Sequence, residues 1–106
     1  MPKYLFEADY SADGTKGLLK DGGSKRREAV EQSIKGLGGK VEAFYFTFGT
    51  RDAIVIADLP DSVSAAALSL TVSAAGAVAF RTTPLITAAE IDAAVKKKVA
   101  YRAPGK

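Results

Sequence analysis

The chain has 106 residues, 47% apolar and 25% charged, with a net charge of +3, which is the size and composition of one globular domain. It has no cysteine and no histidine, and this excludes disulfides, thiol nucleophiles, imidazole bases, histidine-ligated haem and nearly every zinc site. No apolar run approaches the roughly 20 residues of a membrane helix, and no signal-like leader opens the chain, so a cytoplasmic protein with no membrane partner is expected.

Residues 4–10 are rich in strand formers and partly alternate, which predicts a first strand. Ser11 offers an N-cap to a short helix carrying Leu18 and Leu19, and Asp21-Gly22-Gly23-Ser24 interrupts it. A second helix restarts at Ser24 and buries Val30, Ile34 and Leu37, until Gly38-Gly39 stops it. Residues 41–48 form the clearest strand, and Gly49-Thr50-Arg51 connects it tightly to another at 52–59 with Ile54-Val55-Ile56 at its centre. Pro60 ends that strand, and Asp61 or Ser62 caps a helix whose predicted inward stripe is Val63, Ala66, Ala67, Leu70 and Ala74. Gly76 is its natural stop. A last strand runs from about 77 to 85, with Pro84 arguing for a sheet edge. Thr87 and Glu90 make a capping box for a final helix with Ile91, Ala94 and Val95 inward.

The order is an α+β, ferredoxin-like βαββαβ pattern plus a C-terminal helix, which implies a four-stranded antiparallel sheet of order 4-1-3-2 with its main helices on one face. Residues 1–101 read as a single domain and residues 102–106 as a frayed basic tail. Lys96, Lys97, Lys98, Arg102 and Lys106 lie near the end with no acid among them, which leaves ten cations against twelve acids, a charge of −2, in residues 1–95. A nucleic-acid-binding face would be basic where the chain is folded, so no nucleic-acid partner is expected.

Parity sorts the strand residues into two faces. Tyr4, Phe6, Ala8, Phe44, Phe46, Phe48, Val78 and Phe80 form a strongly apolar set assigned to the helix side. The opposite set holds Leu5, Glu7, Asp9, Val41, Ala43, Tyr45, Thr47, Ala79, Arg81 and Thr83, and the third strand is apolar on both sides. An antiparallel sheet facing water usually shows a clean polar side, and this one does not. A homodimer with two sheets packed face to face is the economical way to cover it. Glu7 and Arg81 share a parity on neighbouring strands. They read either as a cross-strand ion pair or as part of a ligand pocket in which Arg81 meets a carboxylate or phosphate and Glu7, Asp9 and Tyr45 orient it.

From Met1-Pro2 and Tyr4, through Ser11 to Gly14, Leu37-Gly38-Gly39-Lys40, Phe44-Tyr45, Gly49, Asp52, Leu59-Pro60-Asp61 and Gly76-Ala77-Val78, to Thr87 and Glu90, the sequence resembles the GYD domain family over nearly its whole length. The resemblance implies a ferredoxin-like domain of the dimeric α/β-barrel kind, in a family of mostly small bacterial proteins with no assigned activity. The family is named for a Gly-Tyr-Asp motif at the hairpin. Here Gly49 and Asp52 match, while Arg51 stands where the tyrosine is expected, so any role of that phenol is absent. Both matching residues have structural explanations, a positive φ at Gly49 and backbone or Arg51 contacts at Asp52.

The function expected is therefore a homodimeric small-molecule-binding or non-catalytic module, open to further assembly, with a cavity between its sheets for a small acidic or aromatic molecule. No catalytic residue, metal or cofactor is assigned. The alternative is a cofactor-free monooxygenase or isomerase acting on a small ring compound, with Glu7 or Asp9 as base, Tyr45 as hydrogen-bond donor and Arg81 as oxyanion stabiliser.

Overall fold

A strand with large apolar groups on one side only must lay that side on another layer. β1 (Lys3–Tyr10) does so: Tyr4, Phe6 and Ala8 are buried, while Lys3, Leu5, Glu7 and Asp9 between them stay half-exposed. The computed structural model describes residues 1–106 and continues with α1 (Ala12–Asp21), α2 (Gly23–Gly36), β2 (Lys40–Phe46), β3 (Ala53–Asp58), α3 (Ser62–Ala75), β4 (Val78–Leu85) and α4 (Ala88–Ala94). All strand pairs are antiparallel in one open sheet, β2-β3-β1-β4, which counted from the β4 edge is 4-1-3-2. Pro84 sits on an edge strand, where a missing N–H costs no ladder bond. The first crossover holds two helices because Gly22, at φ 81°, breaks the chain between them.

α2 and α3 cover one face of the sheet. Phe6, Ile34 and Leu59 are the largest wholly buried side chains, packed with Tyr4, Phe44, Val55, Ala57, Ala65 and Leu68. Register explains which side of β3 is inward. Ala57 lies between Tyr4 and Val41, Val55 between Phe6 and Phe44, and Ala53 between Ala8 and Phe46. Small residues on the central strand leave room for the rings beside them, so Ala53, Val55 and Ala57 are buried and Ile54 and Ile56 face the other way.

Several side chains fall on other sides than a strict period predicts. Pairing runs from Val41↔Ala57 directly to Ala43↔Ile56, so Glu42 is the extra residue of a β-bulge. That bulge turns Val41 to the helix side with Phe44 and Phe46. Phe48 lies beyond the end of β2 and is 61% exposed. On α3 the buried positions are Ala65 and Leu68, with Val72 half-buried, while all of the predicted stripe, Val63, Ala66, Ala67, Leu70 and Ala74, is exposed. α3 contains no charged residue, so apolar side chains surround it and hydropathy cannot choose a stripe. The inward placement of Ile91, Ala94 and Val95 is also overturned. α4 buries nothing and extends away from the sheet, which gives a radius of gyration of 16.9 Å and a long axis of 56 Å. A compact chain of this length has a radius of about 13 Å.

The helix ends follow the capping residues. Ser11 Oγ accepts from the Gly14 N–H at 3.1 Å, Asp61 Oδ1 from the Ser64 N–H at 2.8 Å, and Thr87 and Glu90 form a reciprocal box at 3.1 and 2.9 Å. The Ser64 N–H holds the Asp61 carboxyl below its ordinary range, and the Thr87 N–H does the same for Glu90. A carboxyl with a depressed folded-state pKa stabilises above its unfolded value and loses that contribution as the pH falls through the folded one. Lowering the pH from about 5 to about 2 is therefore expected to destabilise the wild type more than Asp61→Asn, whose amide still caps, as read by urea midpoints. Gly39 precedes β2 where an added Cβ would collide with the Asp58 carbonyl oxygen and press on Leu59. Gly39→Ala is expected to cost about 1–3 kcal/mol in urea unfolding, and an unchanged midpoint would show that the β2–β3 end yields freely.

Candidate functional site

The sheet face turned away from α2 and α3 has no covering layer, and the strand registers set its side chains in rows. Tyr45 lies opposite Ile54, Ile54 opposite Glu7, and Glu7 opposite Arg81, a row that crosses all four strands. The neighbouring row is Ala43, Ile56, Leu5 and Thr83. Opposite residues in such rows have Cβ atoms about 4.5–5.5 Å apart. An apolar band of Leu5, Ala43, Ile54 and Ile56, all half-exposed, thus lies beside the charged side chains of β1 and β4.

Arg51 reaches this face from the β2–β3 turn. Its Nε lies 3.6 Å from Glu7 Oε2 and its Nη1 3.1 Å from Asp9 Oδ2, and Nη1 also donates to the Thr50 carbonyl at 3.4 Å. Glu7 and Asp9 are two apart on one strand and so share the face, which lets one guanidinium bridge both. The turn is tied to the end of β1. The Asp52 N–H donates to the Ala8 carbonyl at 3.0 Å, and Asp52 Oδ2 accepts from the Tyr10 N–H at 2.8 Å. Thr47 closes the turn through its N–H to the Asp52 carbonyl at 2.9 Å and its hydroxyl to the Arg51 carbonyl. At the far end of the face a second cation bridges two acids: Lys3 Nζ lies 2.9 Å from both Glu42 and Asp58. Those bonds, from Glu42 first and Asp58 second, raise the Lys3 pKa.

The structure brings Glu7, Asp9 and Arg51 together and places Tyr45 and Arg81 in the same row as Glu7. Glu7 and Arg81 are register partners, as parity predicts, but no ion pair joins them, because the Glu7 carboxylate faces Arg51 instead. Arg81 is exposed and has no ionic partner, so its guanidinium is the one on this face free to receive a carboxylate or phosphate. Tyr45 is 66% exposed. The turn differs from expectation at Gly49: the positive φ, 49°, belongs to Phe48, and a Cβ at Gly49 would meet open space. Nothing in the structure explains a glycine there. Asp52 does accept a backbone N–H, from Tyr10. Glu7 and Asp9 are both taken up by Arg51, and no cluster of three or more acids able to hold a metal ion occurs.

Arg51 is expected as a departure from the motif and as a contact of Asp52; it bridges Glu7 and Asp9 instead and makes no pair with Asp52. The usable signal was a cation in a short turn next to a strand that carries two acids of one parity. No helix is long and apolar enough to cross a membrane. Among known families, the GYD domain matches residues 4–95. No curated protein and no solved structure matches the chain.

The two anchors of the turn differ in kind. Asp52→Ala leaves the Tyr10 N–H without its partner, a loss of about 1–3 kcal/mol. The Arg51 pairs are partly solvated, with side chains 23%, 28% and 39% exposed, so Arg51→Ala is expected to cost less, under about 1 kcal/mol. Urea unfolding of both variants checks that order, and an Arg51→Ala loss larger than that of Asp52→Ala would reverse it.

Proposed function

The chain belongs to the GYD domain family, and we propose that it works as a homodimer whose two open sheet faces meet and enclose a site for a small acidic or aromatic molecule. The observation that carries this reading is the uncovered band of Leu5, Ala43, Ile54, Ile56 and Tyr45 beside the Arg51–Glu7–Asp9 cluster. Burying half-exposed Ile and Leu side chains against a second sheet favours association, at about 25 cal/mol per Å² of apolar area. Sheets stack about 10 Å apart, so the space between them is filled by side chains where these are large and left open where Ala43, Ala79 and Thr83 are small.

Within that space the roles divide by charge. Arg51 neutralises part of the Glu7 and Asp9 charge and holds both carboxylates in place. Arg81, unpaired, supplies donors to an anionic group, and Tyr45 supplies a ring face and a hydroxyl. The molecule binds and orients; its ligand is a small carboxylate with an aromatic or apolar body.

Native mass spectrometry tests the assembly. The wild type is expected at twice the 11.1 kDa chain mass, and Ile54→Asp, which sets a charge in the middle of the band, at the single-chain mass. A wild type that stays single at micromolar concentration overturns the face-to-face dimer. Benzoate titrated into the labelled protein is expected to shift amide resonances of the Tyr45–Ile54–Glu7–Arg81 row, with at least tenfold weaker binding in Arg81→Ala, roughly the loss of one charge-assisted hydrogen bond. Equal binding by the variant would remove Arg81 from the site.

A further inference from the structure

Besides the open sheet face and the outer side of α3, two apolar surfaces of this chain are uncovered. One is a groove between α2 and α3 that reaches the core at Phe6. Val30, Leu68, Val72 and Phe80 line it, together with Arg26. The other is the C-terminal segment. Ile86, Ile91, Val95, Val99 and Tyr101 are between 48% and 78% exposed, and α4 buries no residue at all. We propose that residues 86–101 are an arm that docks on a second copy of this chain, with Ile91 entering the α2–α3 groove.

Size decides what the groove takes. Its volume is about 90 Å³, whereas sites for small molecules run from about 300 Å³ upward. The groove holds one aliphatic side chain. Charge selects the same pairing. Arg26 has no ionic partner in the structure, and α3, the opposite wall, has no charged residue. On the arm, Asp92 follows Ile91 and has no ionic partner, so an Ile91 seated in the groove brings that acid toward Arg26, while Glu90 stays in its capping box. Ile91 and Val95 are four apart and lie on one side of the arm.

The chain's own arm cannot make this contact. Only Ile86 and Thr87 separate β4 from α4, and two residues span at most about 7 Å. In the structure Ile91 is exposed and α4 buries no residue, so the chain's own arm does not fill the groove. A second copy is not held by this two-residue tether. Each protomer then gives an arm and receives one, the reciprocal pattern of a two-fold contact. Ile91 and Val95 are the side chains this contact covers on each arm, and the two-fold pattern doubles the apolar area removed from water, at about 25 cal/mol per Å².

The absence of cysteine makes the test direct. Full-length Arg26→Cys and a differently tagged Asp92→Cys are mixed and mildly oxidised, with Lys16→Cys, on α1 away from the groove, replacing Arg26→Cys as the control. The expected result is a mixed disulfide-linked pair in clear excess over the control, reduced roughly ten- to hundredfold by Ile91→Asp in the arm. Yields equal to the control overturn the proposal, as does a chain carrying both cysteines that closes on itself as a monomer. Because the open sheet face is not involved, Ile54→Asp is expected to leave the cross-link intact. Loss of the link in Ile54→Asp alone would mean that the arm contact depends on the sheet dimer and is not an interface of its own.

Discussion

The structure depends on the one-sided burial of a four-stranded antiparallel sheet. β1 is the strand on which this acts most strongly, since it pairs on both sides and carries Tyr4, Phe6 and Ala8 into the core. The pleat that buries these three necessarily lifts Lys3, Leu5, Glu7 and Asp9 to the opposite face. α2 and α3 are enough to close one side of the sheet, and nothing in the chain closes the other. The candidate site is therefore a by-product of the core: the same register that stacks rings around Val55 and Ala57 aligns Tyr45, Ile54, Glu7 and Arg81.

Electrostatics on that face is organised by two cations, each between two acids. Lys3 joins β1 to β3 and to the bulge at Glu42, and Arg51 joins the β2–β3 turn back to β1. Both tie neighbouring strands at the ends of the face and leave its middle apolar. Arg81 is left over, a cation with a carboxylate as register partner but not as ionic partner. This asymmetry leaves one unpaired guanidinium on the face, the group the proposed ligand would meet. Arg51 thus places a bridging charge at the hairpin where the resemblance leads one to expect a tyrosine.

The helices carry a second kind of information. α3 carries no charged residue and α4 has apolar side chains with no surface beneath them, features that suit covered helices. A chain of this length has limited core to offer, and covering by further copies is the general way small domains bury such surface. The sheet dimer and the arm contact proposed above are distinct answers to the same shortage.

Much of the architecture was legible in the residues themselves. Ser11, Asp61 and the Thr87–Glu90 pair marked helix starts, Gly22 and Gly76 marked breaks, and Pro84 marked an edge, because each is a local demand of backbone geometry that no distant contact overrules. Parity likewise placed Glu7, Asp9, Tyr45 and Arg81 on one face. What only the tertiary structure decided were choices between locally equivalent options. Both faces of β3 are apolar, and the rings on its neighbours chose the one with small residues. α3 carries no charge to mark its outer side, and packing against the core under it took Ala65 and Leu68. Glu7 had two arginines within its reach in principle, and the turn, pinned by Asp52, delivered Arg51. Local sequence determines where elements begin and which side chains share a face; which of several apolar or charged partners is met depends on packing between segments far apart in the chain.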